Sequence, residues 1–402
     1  MGNPTETVLP AICCIGYNRP ESMRRLLTSV VSAKYDDNDI NLIISIDESN
    51  KSGEVEAVAK EFEWNYGHKE ILRYPKRLGL KEHCLRCGDL SLKYGAVIFL
   101  EDDVVVAPGY YRYTKAAVNH YKDNPDVFCI SLYYDNWFST YHIDFKPAFN
   151  GYDTFLAIFE ESHGQCWMSK GWSEFREWLE AHPNTESIYN KDVGLSVYKW
   201  NPEKSWSRFV CFYITENRKF YVLPYHSYAT NMTDVGVHAA VSTDISQTAL
   251  SEDTRTVFRF GELDNSVVYD PHAERIDRFV DSVAGINIEA ICLDLNGAKY
   301  DWEGYDYILT TKHLPYEIIV QFGINMEPIE NNIRYNVPGT AIRLYKVPND
   351  YRPDKRVEAI SPYSISKQRL EHIYLKVPLK DLLYVVRKKV ERFVRSKIKH
   401  FF

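Results

Sequence analysis

The chain contains no apolar run near the roughly 18 residues needed to cross a bilayer, so any contact it makes with a membrane is expected to be peripheral. Its N-terminus, MGNPTETVLPAICCIGYN, has no basic start, no long apolar core and no small-residue cleavage site. No secretory signal peptide is therefore expected, and the stretch reads as a cytosolic chain entering its first strand. The eight cysteines (Cys13, Cys14, Cys84, Cys87, Cys129, Cys166, Cys211 and Cys292) lack the regular framework of small secreted domains, and a reducing compartment is expected. Cys84-x-x-Cys87 has no second pair or His pair to complete four zinc ligands, and its spacing suits a buried helix face. No internal repeat is present.

What is present is an ordinary globular composition with one excess. Hydrophobic residues at 45% and charged residues at 26% exclude wholesale disorder and collagen-like classes. Aromatic residues reach 14%, with 30 tyrosines, which suits sugar stacking and core packing alike. A length of 402 residues implies one large domain and a smaller one.

The first half alternates short apolar runs with helical patterns, the mark of βαβ units and a mainly parallel sheet. Val8–Ile15, Leu42–Ile46, Ala96–Leu100 and Val127–Leu132 read as strands. Glu21–Ala33, Lys81–Tyr94, Tyr110–Tyr121 and Gly171–Ala181 read as helices. Tyr133–Phe159 reads as loop, Phe209–Tyr213 and Phe220–Leu223 as strands, and Thr230–Ala240 as turn-rich. Composition shifts near Ser242–Thr256, where a boundary is expected. Beyond it, Ile288–Leu295, Tyr307–Thr310, Glu317–Phe322 and Ala341–Val347 are further apolar runs.

Two features carry chemistry. The strand Ala96–Leu100 runs straight into Glu101, Asp102 and Asp103, and in open α/β sheets ligands bind at the carboxyl ends of strands. Three adjacent carboxylates are tolerable chiefly beside a cation or in water, and Mg²⁺ or Mn²⁺ needs only one or two of them when substrate phosphates complete the shell. The second feature is the tail from Leu379 to Phe402. Its eight lysines and arginines oppose only Asp381 and Glu391, a balance of +6 that leaves −13 for the rest of a chain at −7. Leu382, Val386, Val390, Phe393, Val394 and Phe401 recur mostly at steps of three and four, so a helix would separate basic and apolar faces.

Several blocks in order resemble the GT-A catalytic domain of N-acetylglucosaminyltransferase I and related bacterial surface-polysaccharide glycosyltransferases. They are Tyr17-Asn18-Arg19-Pro20, Asp47 after Ile44-Ser45-Ile46, Lys81-Glu82-His83-Cys84-Leu85-Arg86, Val97 to Pro108 around the acidic triplet, and Gly164-Gln165-Cys166-Trp167 with Trp172. Asn231-Met232-Thr233-Asp234-Val235-Gly236-Val237-His238 resembles the family's closing loop.

The resemblance implies an inverting, divalent-metal-dependent transfer from a nucleotide sugar, most simply a UDP-sugar, to a glycan acceptor. Asp103 would ligate Mn²⁺ or Mg²⁺, with His238 as a further candidate ligand. Arg19, Asp47, His83, Glu101, Asp102, Trp167 and His238 would contact the donor. The family's aromatic-Asp-Asp-aromatic stretch is absent at Tyr189-Asn190-Lys191-Asp192-Val193-Gly194, so Asp192 becomes the candidate base, with Asp153, Glu160 and Glu161 in reserve.

The expected architecture is therefore an α/β GT-A domain over residues 1–245, Rossmann-like with a mainly parallel sheet. A smaller α/β accessory region follows over 246–378, and a basic amphipathic helix over 379–402. A cytoplasmic enzyme with a lipid-linked acceptor at an anionic membrane, and no nucleic-acid partner, fits these features. Sugar nucleotidyltransferases share the sheet and metal but use a Gly-rich phosphate loop, whereas Ile15-Gly16-Tyr17-Asn18-Arg19 has a single Gly. A non-catalytic carbohydrate-binding shell would leave Asp103 unexplained.

Overall fold

The computed structural model describes residues 7–138, 140–141, 143–183, 188–235, 246–353 and 378–398. In chain order the strands of the first unit are β1 (Ala11–Gly16), β2 (Leu42–Ile46), β3 (Lys69–Arg73), β4 (Ala96–Glu101), β5 (Val104–Val106), β6 (Val127–Ser131), β7 (Trp137–Phe138), β8 (Ile143–Asp144), β9 (Thr154–Ala157), β10 (Gln165–Met168), β11 (Phe220–Pro224), β12 (Ala229–Asn231) and β13 (Val268–Tyr269). Its helices are α1 (Pro20–Val31), α2 (Ser52–Glu61), α3 (Leu80–Tyr94), α4 (Tyr110–Tyr121), α5 (Ser169–Ala181) and α6 (Trp206–Glu216).

Strands β1, β2 and β6 are buried at every residue, and β4 is buried up to Glu101, as unbroken apolar runs in a sheet covered on both faces should be. The nine-stranded sheet has the order β13-β9-β11-β6-β10-β4-β1-β2-β3. It is parallel across β4-β1-β2-β3 and at the β11–β6 and β13–β9 pairs, with β10 antiparallel to β4 and β6 and β9 antiparallel to β11. The parallel strands β1, β2 and β4 therefore end together. Just beyond that end, β5 pairs with β12 and so brings Asn231 next to Val104.

Some expectations need correction. Phe209–Tyr213 lies inside α6, because a short apolar run fits a buried helix as well as a strand. Trp206, Phe209, Val210, Phe212 and Tyr213 are buried there at helical spacing, and Ser205 caps the N-terminus by accepting the amide of Arg208 at 3.1 Å. The region expected as loop, Tyr133–Phe159, contains the β7–β8 hairpin and the sheet strand β9. The large sheet also continues through β13, past the boundary expected near 245, since Val268 and Tyr269 pair with Leu156 and Ala157.

A second unit follows. A hairpin of β14 (Ser282–Val283) and β15 (Ile286–Asn287) precedes a four-stranded sheet of order β16-β17-β19-β18, built from β16 (Ile291–Asp294), β17 (Tyr307–Thr310), β18 (Ile318–Phe322) and β19 (Ile342–Lys346). One face packs Phe279, Leu293, Leu309, Ile342 and Leu344, with α7 (Asn331–Arg334) contributing Ile333. The other face packs Cys292, Trp302, Ile308 and Tyr345. Polar contacts join the units: Lys299 pairs with Asp270 at 2.6 Å, and Asn296 donates its amide to Glu274 at 2.7 Å. Last comes α8 (Leu379–Ile398).

All eight cysteines are unpaired, with Cys84 and Cys87 on the buried face of α3. That face also sets a tight approach. A Cβ on Gly88 would lie 2.0 Å from the ring of Trp172, which stacks on Trp167 at 4.5 Å and donates to Asp89 at 2.8 Å. Ala is the better helix former by about 1 kcal/mol, but overpacking a fixed indole costs about 1–3 kcal/mol. We expect Gly88→Ala to destabilise the protein in urea denaturation, and a gain in stability would contradict this packing.

Candidate active site

The cleft at the carboxyl end of the parallel strands has a volume of about 190 Å³. Its walls come from the end of β1 with the following turn (Ile15–Arg19), Asp47 after β2, Arg77 to His83 leading into α3, Glu101–Asp103 after β4, and Asp234 beyond β12. Arg19, Asp47, His83, Glu101, Asp102 and Asp103, scattered over 85 positions of sequence, thus meet in one place.

Each of these side chains has a distinct setting. Arg19 pairs with Asp102, reaches Asp103 at 3.1 Å and donates to the carbonyl of Asp234 at 3.3 Å. Burial opposes the charge of its guanidinium, but Asp102 and Asp103 outweigh that and raise its pKa. Asp103 also accepts from Asn231 Nδ2 at 3.2 Å, and its carbonyl accepts the amide of Met232 at 2.8 Å, so the segment after β12 closes over the acidic turn. Asp47 is buried and receives the amides of Glu48, Leu78 and Gly79 at 2.9, 2.7 and 3.0 Å, which fixes the turn entering α3. His83 is buried on that helix, with Nε2 2.7 Å from Ser45 Oγ.

The triplet is strongly under-compensated. Burial, then Asp103 and Asp102, push the Glu101 carboxyl up to about 8, and burial pushes Asp102 up to about 6 although Arg19 opposes it. Among the described residues, no three His, Cys, Asp or Glu side chains converge into a metal cage.

Three sequence candidates sit elsewhere. Trp167 is fully buried in an aromatic stack with Phe99, Trp172 and Trp206, at 4.8, 4.5 and 5.5 Å, and belongs to the core. Asp153 is tied to Arg255 at 2.9 Å and to the amide of Arg259 at 2.6 Å. Asp192 is exposed, and the charges around it are Lys299, Asp270, Lys191 and Asp301 rather than the acidic triplet. His238 lies outside the described residues.

Trp206-Ser207-Arg208-Phe209 opens α6, whose start is held to the cleft side by Lys81 Nζ on the carbonyl of Pro202 at 3.0 Å. Arg208 is buried and donates to the carbonyls of Val197, Tyr198 and Trp200. Ser207 donates to Glu160, which approaches from the connection between β9 and β10. Glu160 Oε1 is buried without a partner, and burial followed by Glu161 pushes the carboxyl up to about 7.

Residues that pattern reasoning missed are Ser22 and Arg25, both bonded to Asp234, and His163, which lies 2.6 Å from Glu161. The available signal for His163 was three titratable residues within four positions, immediately before Gly164.

Residues 12–171 match the family model described as glycosyl transferase family 2. Residues 12–171 are thus similar to a family 2 glycosyltransferase domain. Solved structures similar to it include S. aureus TarS 1–349 (11% identity, 55% of this chain and 59% of that one, TM-score 0.34). Others are the mannosyltransferase PcManGT of Pyrobaculum calidifontis in complex with GDP-Man and Mn²⁺ (12%, 55% and 56%, 0.34) and GalNAc-T7 with UDP, GalNAc and Mn²⁺ (12%, 55% and 43%, 0.37). The aligned part spans 43–59% of those three chains. No curated protein sequence matches.

The Glu160 environment makes a prediction about stability. Its folded pKa of about 7 exceeds the ordinary value of 4.5, so the folded state holds this proton more tightly. That contribution is fully present below the unfolded value and is lost as pH rises through 7. Between pH 5 and pH 8, Glu160→Gln should therefore gain stability relative to the parent protein, by up to about 3 kcal/mol. Urea denaturation at both pH values measures it, and a pH-independent difference would refute the assignment.

Proposed function

We propose that the protein transfers a sugar from a nucleotide sugar of the UDP type to a glycan hydroxyl, by a single displacement that inverts the anomeric configuration. The observation that carries this reading is the carboxylate triplet at the end of β4, facing Arg19, Asp47 and His83 in one cleft, with Glu160 as a buried carboxylate nearby. Arg19, Asp47, His83, Glu101 and Asp102 are the proposed donor contacts, with Asp234 closing the cleft through Arg19 and Arg25.

The residues fit a divalent ion shared with the donor better than a resident one. Hard carboxylate oxygens are in excess of the local cations, yet too few converge to cage a metal alone. Asp103 is the ligand proposed to hold Mn²⁺ or Mg²⁺ together with diphosphate oxygens, and the ion's chemistry there is neutralisation of the departing diphosphate. Arg19 now occupies both aspartates, so Asp103 must exchange that contact to take part.

For the base, Glu160 is preferred to Asp192. A general base works best with a pKa near the operating pH, and Glu160 has one near 7 with an uncommitted oxygen. It would take the acceptor hydroxyl proton while that oxygen bonds to the anomeric carbon and the bond to the diphosphate breaks. Asp192 instead faces the second unit.

These roles are separable. Asp103→Ala should abolish Mn²⁺-dependent binding of UDP in calorimetry while the fold persists. Glu160→Gln should keep UDP binding and lose donor turnover by roughly 10²-fold or more, with Asp192→Asn near the parent rate. Loss of turnover in Asp192→Asn but not in Glu160→Gln would return the base to Asp192.

The acceptor is proposed to be lipid-linked, in bacterial surface-polysaccharide synthesis at the cytosolic face of the membrane. No helix among the described residues is long and apolar enough to cross a membrane. Helix α8 supports a peripheral contact: Leu379, Leu383, Tyr384, Val386 and Val390 are 56–72% exposed, and Arg387 and Lys388 pair with Glu391 within the helix. Each basic residue near an anionic surface contributes about 1 kcal/mol, before any apolar insertion. The intact protein should co-sediment with phosphatidylglycerol vesicles at low salt, less so at high salt, and a chain ending at Val377 should not. Indifference of the intact protein to anionic vesicles at low salt would make the helix structural.

A further inference from the structure

His163 sits among carboxylates contributed by several elements. Its Nδ1 lies 2.6 Å from Glu161 Oε1, and the same oxygen accepts the His163 amide at 3.2 Å. The imidazole packs on the ring of Tyr133 at 4.7 Å, which fixes its plane. Facing it are Glu101 from the end of β4, Asp135 and Tyr133 from the segment after β6, and Glu160 and Glu161 from its own connection between β9 and β10. Ser207 on α6 holds Glu160 from the other side.

Charge bookkeeping at this spot needs a cation. Arg19 is committed to Asp102 and Asp103. Two unit charges about 4 Å apart interact by about 4 kcal/mol at an effective dielectric of 20, enough to shift a neighbouring carboxylate by whole pH units. Whether His163 carries its proton therefore decides how easily Glu160 ionises.

We propose that His163 is a positioning residue which, as an imidazolium anchored by Glu161, compensates the carboxylates around it and keeps Glu160 ionised to accept the acceptor's proton. This rests on the transfer reading above, with Glu160 as the base. The proton balance is simple. Glu160 takes the hydroxyl proton and later releases it to water, while His163 keeps its own proton throughout. Burial by itself would favour the neutral ring, but Glu161, with Glu101 and Glu160, pushes its pKa up to about 9. The cation therefore persists across neutral pH.

Two measurements on the intact protein test this. The first follows hydrolysis of UDP-glucose and UDP-N-acetylglucosamine with Mn²⁺, water replacing the acceptor, as kcat/KM against pH. His163→Gln should move the acid limb up by about 1 pH unit or more, with UDP affinity within about twofold of the parent. His163→Lys, which restores the charge, should keep the limb near its parent position. Equal loss at every pH, or loss of UDP binding, would make His163 merely structural.

The second is an NMR titration of the imidazole, assigned by its disappearance in His163→Gln. Its midpoint should lie well above the ordinary histidine value and fall toward it in Glu161→Gln. A midpoint at or below about 6.5 would overturn the proposal. If the parent protein turns over neither donor, the transfer reading itself fails, whereas the titration still decides the charge on His163.

Discussion

The structure is organised around uncompensated negative charge at the carboxyl end of β4. Three consecutive carboxylates sit where the sheet leaves little water, and the pKa values of Glu101 and Asp102 rise because burial removes solvent faster than local cations replace it. Much of the surrounding chain responds to that constraint. Arg19 is drawn from the first turn onto Asp102 and Asp103, Asn231 reaches back from β12, and His163 pairs with Glu161 beside Glu101. A cleft so charged is poorly satisfied alone and well suited to a ligand that brings its own cation.

That arrangement divides the work between rigid and movable parts. Asp47 and His83 are held by the backbone of the turn into α3 and by Ser45, so they define a fixed wall. The opposite wall depends on ion pairs: Asp234 is tied by Arg25 and Ser22, and Arg19 bridges to its carbonyl. Ion pairs exchange partners at low cost when a charged ligand enters, whereas buried amide–carboxylate contacts do not. Among the described residues, none of the second unit lines the cleft. That unit joins the first through contacts such as Lys299 with Asp270 and Glu274 with Asn296.

The sequence was most legible where a single local rule applied. β2 falls where its apolar run ends, and α1 and α3 within a residue or two of their expected limits, because strand burial and helical spacing are written in adjacent residues. The acidic triplet at a strand end was readable for the same reason. The rule failed at α6, where an apolar run suited either period, and at Trp167, where an aromatic near a Gly turned inward to stack with Phe99, Trp172 and Trp206.

By itself, then, the sequence determined the mainly parallel α/β sheet, the acidic triplet at the end of β4 and the basic, amphipathic pattern of the tail. Periodicity, strand-end position and charge count are local properties that folding preserves. Only the tertiary structure decided which further charged groups come near the acidic triplet. Glu160 and His163 come from the connection between β9 and β10, and Ser207 from α6, more than forty positions later. Asp192, close to α6 in sequence, is carried away to Lys299 and Asp270. Such partnerships depend on how strands cross between distant segments, and no spacing within one segment records them.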